Sequence, residues 1–450
     1  MAEKKTTKSK SSSGKSSAKT NVKRVATAVS KYDTKKSFKD NSEAIKGVVT
    51  ATATSAKRSS NKKQKTFFLV LLVVIIVAIV AVTIYGYYHG WFDAVIGYNN
   101  RDYNSKTYSI ESIQNEQLSI HFMQLNNKSN GDSIYIKAGD TDILIDAGSE
   151  KGSAKSIGDY VDRYCTDGIL EYVIVTHADE DHIAGFVGTT VAKGIFDRYE
   201  CKNIIQFART NKNTKVYQNY CAKRDAEKAN GANVYTALDC YNNANGAQRI
   251  YELADGITME ILYQKYYETN TSNENDYSVC ILISQEYQKD GEKETNHYLL
   301  LGDLEEAGEQ SLVESNPNLP EVVLYKGGHH GSKTSANLVL LEKVKPQIVC
   351  VCCVAGSVEY TQALDNTFPT QAFIDRIAPY TDAVYATDVA TVQKNSSGKY
   401  KNTGFEALNG DIVFACSNGD ISMYFSNNDT KLKDTEWFKN NRTCPASWQD

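Results

Sequence analysis

The stretch Thr176-His177-Ala178-Asp179-Glu180-Asp181-His182, followed by Ile183-Ala184-Gly185, decides the reading of this chain. It directly follows the apolar run Tyr172-Val173-Ile174-Val175, so His177, Asp179, Asp181 and His182 leave the end of a buried strand together. A single Asp or His in such a place is commonly the cap of the next helix. Two imidazoles and two carboxylates within six residues instead surround a point that a metal ion can occupy.

Working outward, the chain alternates short apolar runs with helical patterns. Upstream, LSIHFMQL, SIYIKA and TDILIDAG read as three strands from Leu118 onward, with Gly139-Asp140 as a hairpin turn and Asp146 at the end of the third. His121 is read there as a strand residue. A helix opens at Gly152-Ser153, with Ile157, Tyr160, Val161 and Tyr164 on one stripe. Downstream, YLLL runs into Gly302-Asp303, VVLY into Gly327-Gly328-His329-His330, and a helix is expected from Ser335 through Leu338, Leu341 and Val344 to Pro346. QIVCVCCV is a further buried strand. In α/β sheets, polar residues placed at several strand ends converge in one crevice. Residues 195–275 turn Asn-, Tyr- and Lys-rich and read as an insertion, while GDIVFACSNGDISMYF reads as a last hairpin about Asn418-Gly419.

Taken in this order, His177-x-Asp179-x-Asp181-His182, Asp146, Asp303 and the KGGHHGSKTS stretch resemble the metallo-β-lactamase superfamily over roughly residues 118–377. Asp179 stands where most of that superfamily has a second His, which is similar to the hydrolase domain of ComEC-type competence DNA-uptake proteins. The resemblance implies an α/β fold, a four-layer αββα sandwich, over residues 116–425. It also implies two divalent ions, Zn or Mn, with His177 and Asp179 on one, Asp181 and His182 on the other, Asp303 bridging, and His329 or His330 adding an imidazole. Asp146 would orient the ligand loop. A metal-bound hydroxide would then attack a phosphodiester, with Asp181 taking a proton. Ser332, Lys333, Thr334 and Ser335, at the start of the expected helix, would hold the anionic phosphate through backbone N–H groups and the Lys333 ammonium. No His lies between His182 and His297, so Asn275 or Asp276 is the candidate for a missing imidazole, and Phe368 precedes Pro369 where the group tends to have His.

Charge divides the chain in two. Residues 1–66 hold 18 Lys and Arg against 4 Asp and Glu, and the rest holds 32 against 50, so a net −4 conceals a basic arm of +14 and a body of −18. The Lys/Ser/Thr-rich arm cannot bury enough apolar surface to fold and is expected to be a disordered cytoplasmic tail. FFLVLLVVIIVAIVAVTIY, from Phe67 to Tyr85, has no charge over 19 residues, about the length that crosses a bilayer. Lysines before it and Tyr87, Tyr88 and Trp91 after it predict a single-pass membrane helix over 67–87 with the hydrolase domain outside the cell. Residues 88–115 read as a stalk and 426–450 as a C-terminal tail. The ten cysteines show no CxxC spacing, and Cys350, Cys352 and Cys353 read as small buried apolar residues.

The expectation is therefore a membrane-anchored, metal-dependent hydrolase of a nucleic acid or a smaller phosphodiester. The acidic body weighs against a long polyanion. The alternative is a metal-poor binding module of the same fold that has lost turnover.

Overall fold

The computed structural model describes residues 108–449. The basic tail over 1–66, the membrane helix over 67–87 and the first part of the stalk lie outside the described residues. Among the described residues no helix is long and apolar enough to cross a membrane.

Sixteen strands form two eight-stranded sheets. The first holds β1 (Leu118–Phe122), β2 (Ile134–Ala138), β3 (Thr141–Ile145), β4 (Ile169–Val175), β5 (Glu200–Gln206), β6 (Asn233–Thr236), β15 (Ile412–Ser417) and β16 (Asp420–Phe425), ordered β16-β15-β1-β2-β3-β4-β5-β6. The second holds β7 (Ile250–Ala254), β8 (Ile257–Leu262), β9 (Cys280–Lys289), β10 (Glu292–Leu300), β11 (Leu324–Lys326), β12 (Ile348–Ala355), β13 (Val384–Lys394) and β14 (Tyr400–Ala407), ordered β14-β13-β12-β11-β10-β9-β8-β7. Each sheet combines antiparallel hairpins with a parallel half, β3 to β6 in one and β10 to β13 in the other.

The unbroken apolar runs follow from burial on both faces. In β12, Cys350 and Cys352 join a core shared with the first sheet, while Val349, Val351 and Cys353 join a second core with the helices Glu306–Ser315, Leu338–Val344 and Gln371–Ile377. Tyr298 and Leu300 of β10 alternate with Leu299 and Leu301 in the same way. The two sheets therefore face each other, and the helices named here cover the outside of the second. All ten cysteines are free, so packing and not disulfide bonding holds the fold.

Three expectations are corrected. Residues 195–275 are no insertion, since they supply β5 and β6 to the first sheet and β7 and β8 to the second. Their polar composition comes from strands that expose alternate positions, as in β7, where Ile250 and Glu252 are exposed and Tyr251 and Leu253 buried. Residues 426–450 are no tail, because Leu432, Phe438 and Trp448 are buried in the second core and the Trp448 indole donates to the Thr381 carbonyl. The end of the expected stalk also packs on the domain: Ile113 of the helix Ile110–Gln114 is buried, and the Tyr108 hydroxyl lies 3.1 Å from that of Tyr164.

His121 in β1 is fully buried, with Nδ1 at 2.7 Å from the Tyr160 hydroxyl and Nε2 at 2.8 Å from Ser119 Oγ. Burial pushes its pKa down to about 3. The folded ring stays neutral while the unfolded one titrates near 6.5, so its contribution is complete above that pH and is lost as pH falls toward 3. Between pH 6.5 and 4.5 this costs about 2 kcal/mol. Urea titrations at the two pH values are expected to show the parent losing about that much more stability than His121→Gln. Equal losses would rule the imidazole out as the acid-labile group.

Candidate metal centre

The centre is built where chain segments leave the parallel halves of both sheets. β3 is followed by Asp146, β4 by Thr176-His177 and β10, after Leu301, by Gly302-Asp303, while β11 ends at Lys326. The helix Glu180–Val187 begins with Asp179 in the N-cap position, yet the Asp179 carboxylate makes no capping bond. His329 and His330 both adopt positive φ, 45° and 53°, a region unusual for residues with a side chain. Close approach of the loops depends on glycine: a Cβ at Gly148 would lie 1.5 Å from the Asp181 carbonyl oxygen.

Three imidazoles are each held by one nitrogen and left free at the other. His182 Nδ1 lies 2.7 Å from Asp146 Oδ2, and Asp146 also accepts the Thr176 N–H at 2.8 Å and hydroxyl at 2.6 Å. His330 Nδ1 lies 2.9 Å from the Cys352 carbonyl, which can only accept, so that nitrogen carries a proton and Nε2 is the atom turned toward the centre. His177 Nδ1 faces the Thr176 hydroxyl at 3.1 Å. Nε2 of all three is buried without a hydrogen-bond partner. Buried polar atoms are rarely left in that state, and an outer partner on Nδ1 with a bare Nε2 is how a metal-ligating His is held.

The bare nitrogens converge on one carboxylate. Asp303 Oδ2 lies 3.1 Å from His182 Nε2 and 3.2 Å from His330 Nε2, and Asp181 Oδ2 lies 3.4 Å from His330 Nε2. His177, His182 and Asp303 form one ligand-like group, and Asp181, His182 and His330 another. This mixture of imidazole and carboxylate donors fits a divalent ion such as Zn or Mn. Burial works to raise the Asp303 pKa, but His330, Lys326 and His182 hold it well below the usual carboxylate range. Burial likewise opposes ionisation of Asp181, and the His330 and His182 charges overcome it.

The other sequence candidates are placed differently. Asp179 Oδ2 is 3.7 Å from His177 Nε2, and its other oxygen is ion-paired to Lys212. His329 lines the cavity but its Nδ1 faces Glu305 at 2.9 Å. Asn275 lines the cavity too, while the Asp276 carboxylate is buried and accepts the Gly308 N–H. Phe368 packs beside His329, with ring centroids 5.6 Å apart. Ser332, Lys333, Thr334 and Ser335 do not form the expected phosphate cradle. Their helix begins at Leu338, and the N–H groups before it, on Ala336 and Asn337, are taken by the Glu309 carboxylate at 2.6 and 2.8 Å. Ser335 Oγ is buried and donates to the Leu304 carbonyl, Ser332 and Thr334 bond each other, and Lys333 is exposed outside the cavity lining.

Sequence reasoning missed three participants. Lys326 is buried, with Nζ at 2.8 Å from the Gly302 carbonyl and 3.0 Å from Asp303 Oδ1, and it is ion-paired to Asp132. Asp132 is itself buried 3.3 Å from His330 Nδ1, with no aligned hydrogen bond to either oxygen. Tyr360 donates its hydroxyl to Asp181 Oδ2 at 2.6 Å. A Lys ending the short buried strand VVLYK and a Gly-Asp before SIYIKA were the available signals. The cavity, about 460 Å³, is lined by Glu150, Asp179, Glu180, Asp181, Asp303 and Glu359 and by no Lys or Arg.

Residues 127–190 match the model of the metallo-beta-lactamase superfamily, a window that includes Asp132, Asp146, His177, Asp179, Asp181 and His182 and stops short of Asp303 and His330. No curated protein matches the chain. Among solved structures, it is similar to a mutant of the CmlA beta-hydroxylase at 8% identity, over 60% of this chain and 52% of that one, with a TM-score of 0.33. A long form RNase Z from yeast is similar at 10% identity over 56% and 38% of the two chains, with a TM-score of 0.31. The metallo-beta-lactamase SMB-1 in complex with mercaptoacetic acid is similar at 11% identity over 46% and 77%, with a TM-score of 0.27. The chain thus spans about half the length of the first of these and about two fifths of the second.

Proposed function

We propose that this chain is a metal-dependent hydrolase of a small phosphodiester, with its metal held among His177, Asp181, His182, Asp303 and His330. The observation that carries the reading is a set of three bare, buried Nε2 atoms, two of which, on His182 and His330, converge on Asp303 while His177 stands within 4.8 Å of it. A divalent ion bound there would supply Lewis acidity to a phosphoryl oxygen and lower the pKa of an attacking water. The chain's own residues do the rest. Asp181 Oδ2, which stays ionised and is already oriented by the Tyr360 hydroxyl, is the atom that would take the water's proton. Asp146 and the Cys352 carbonyl fix the rings of His182 and His330. Tyr360, which lines the cavity, packs on Phe368 with ring centroids 5.8 Å apart.

The substrate class follows from charge. Six carboxylates line the cavity with no Lys or Arg in the lining, Lys212 and Lys326 being ion-paired to Asp179 and Asp303, and on a body of net −18 this opposes a long polyanion. The finer likeness to ComEC-type hydrolase domains rests on Asp179 alone in the first motif and does not set the substrate. The uncharged run over 67–85, with lysines before it and aromatic residues after it, supports an anchor that leaves the hydrolase domain outside the cytoplasm.

The test is hydrolysis of bis(p-nitrophenyl) phosphate by the full-length chain in Mn²⁺ or Zn²⁺. Asp181→Ala is expected to lower kcat/KM by about 10²- to 10⁴-fold with its urea midpoint preserved. Unchanged activity in that variant would remove Asp181 from the reaction. No metal-dependent turnover by the parent on this or any other phosphodiester would favour the non-catalytic module, a reading the Lys212–Asp179 pair also supports.

A further inference from the structure

Two sides of the centre differ in what they offer a cation. On one side, Asp303 Oδ2 lies 3.1 Å from His182 Nε2 and 3.2 Å from His330 Nε2, and His330 Nε2 lies 3.4 Å from Asp181 Oδ2. On the other, His177 Nε2 has Asp179 Oδ2 at 3.7 Å and Asp303 within 4.8 Å, and Asp179 is already engaged by the Lys212 ammonium. The remaining groups on that side are tied elsewhere: Asn275 Nδ2 donates to Glu305 Oε1 at 2.9 Å, and His329 Nδ1 faces the same oxygen at 2.9 Å.

Lys212 is placed there by buried structure. It lies in the loop between β5 and the helix Lys215–Ala229. Its backbone N–H donates to Thr210 Oγ1 at 2.9 Å, and the Thr210 hydroxyl donates to Glu274 Oε1 at 2.6 Å. Asn211 N–H donates to the other Glu274 oxygen at 2.7 Å, and Glu274 is buried. A buried carboxylate thus pins the three residues that carry the lysine to Asp179, and the side chain is only 30% exposed.

We infer that Lys212 occupies the position of a second metal ion, so that the working centre is one divalent ion on Asp181, His182, His330 and Asp303 beside a fixed ammonium on Asp179. A lysine ammonium and a divalent ion on the same carboxylate repel, and desolvation strengthens that repulsion. The inference rests on the proposed metal-dependent reading and narrows the two ions implied by the resemblance to one. His177, fully buried, would then stand outside the ligand set of that ion.

The test is metal stoichiometry of the full-length chain, equilibrated separately with Zn²⁺ and with Mn²⁺, dialysed and measured by elemental analysis, with calorimetric titration for affinity. One ion per chain is expected for the parent and for Lys212→Arg, which keeps the charge. Lys212→Met is expected to bind a second ion at least tenfold more tightly than the parent does. Two ions of similar affinity in the parent, or a methionine variant that still takes only one, would overturn the role of Lys212 and leave the hydrolase reading standing. No ion in the parent would overturn both.

Discussion

Lys326→Met is expected to cost the metal-free fold about 3–5 kcal/mol, the usual consequence of removing one partner from a buried ion pair. The ammonium is 1% exposed and serves three acceptors at once: Asp132, Asp303 and the Gly302 carbonyl. Methionine fills much of the same volume, so packing is nearly conserved and the loss isolates the charge. Without it, two buried carboxylates share a space in which only His182 and His330 remain to compensate them. Burial alone would lower the Lys326 pKa, but Asp132 and Asp303 hold it above its ordinary value, so the group stays charged and its contribution is flat from mildly acidic to mildly alkaline pH. Urea denaturation in the presence of chelator checks this, and a change below about 1 kcal/mol would mean that the lysine is incidental.

Divalent metal is expected to stabilise the fold by about 2.7 kcal/mol when free ion is a hundredfold above its dissociation constant. The donors are assembled only in the folded chain, from the segments that follow β4, β10 and β11, so the ion binds the native state far better than the unfolded one. Chelator should reverse the gain, and Asp303→Asn should abolish it, because Asp303 is the oxygen on which His182 and His330 converge. The effect should also depend on pH in a stated direction. Burial lowers the pKa of His182 and His330, but Asp303 with Asp146 or Asp132 overcomes it and holds both above the ordinary imidazole value. Metal must displace those protons, so the stabilisation shrinks as pH falls. A gain that grows toward acid pH would show that these imidazoles are not ligands.

How much of this was legible in the sequence depended on how the residues were grouped. The clustered motifs about His177 and His330 announced themselves because several polar groups crowd one strand end, and Asp146 and Asp303 each followed an apolar run that had no other reason to stop at a carboxylate. Asp132 and Lys326 were opaque for the opposite reason. Each is a single polar residue beside an ordinary strand, and its role appears only when β2 and β11 bring the two within ion-pair distance. Lys212 was hidden by the polar look of 195–275, which comes from strands with one solvated face. The expected phosphate cradle failed on a long-range contact: Glu309, from another helix, takes the N–H groups that a local reading of 332–335 leaves free.

The strand order of the first sheet sets a condition on how the chain comes to be made. β1 is flanked by β2 on one side and by β15 on the other, with Leu118 opposite Cys416 and Phe122 opposite Ile412. During synthesis from the N-terminus, β2 and β3 can pair with β1 at once, but its other edge stays open until nearly all the remaining domain has emerged. That edge carries Leu118, Ile120 and Phe122, all fully buried at the end. Long-range pairings of this kind are slow, and an unpaired apolar strand invites association with another chain. Nascent chains stalled before Ile412 should therefore be the aggregation-prone form of this protein, and a chaperone that shields an open sheet edge should matter most during that interval.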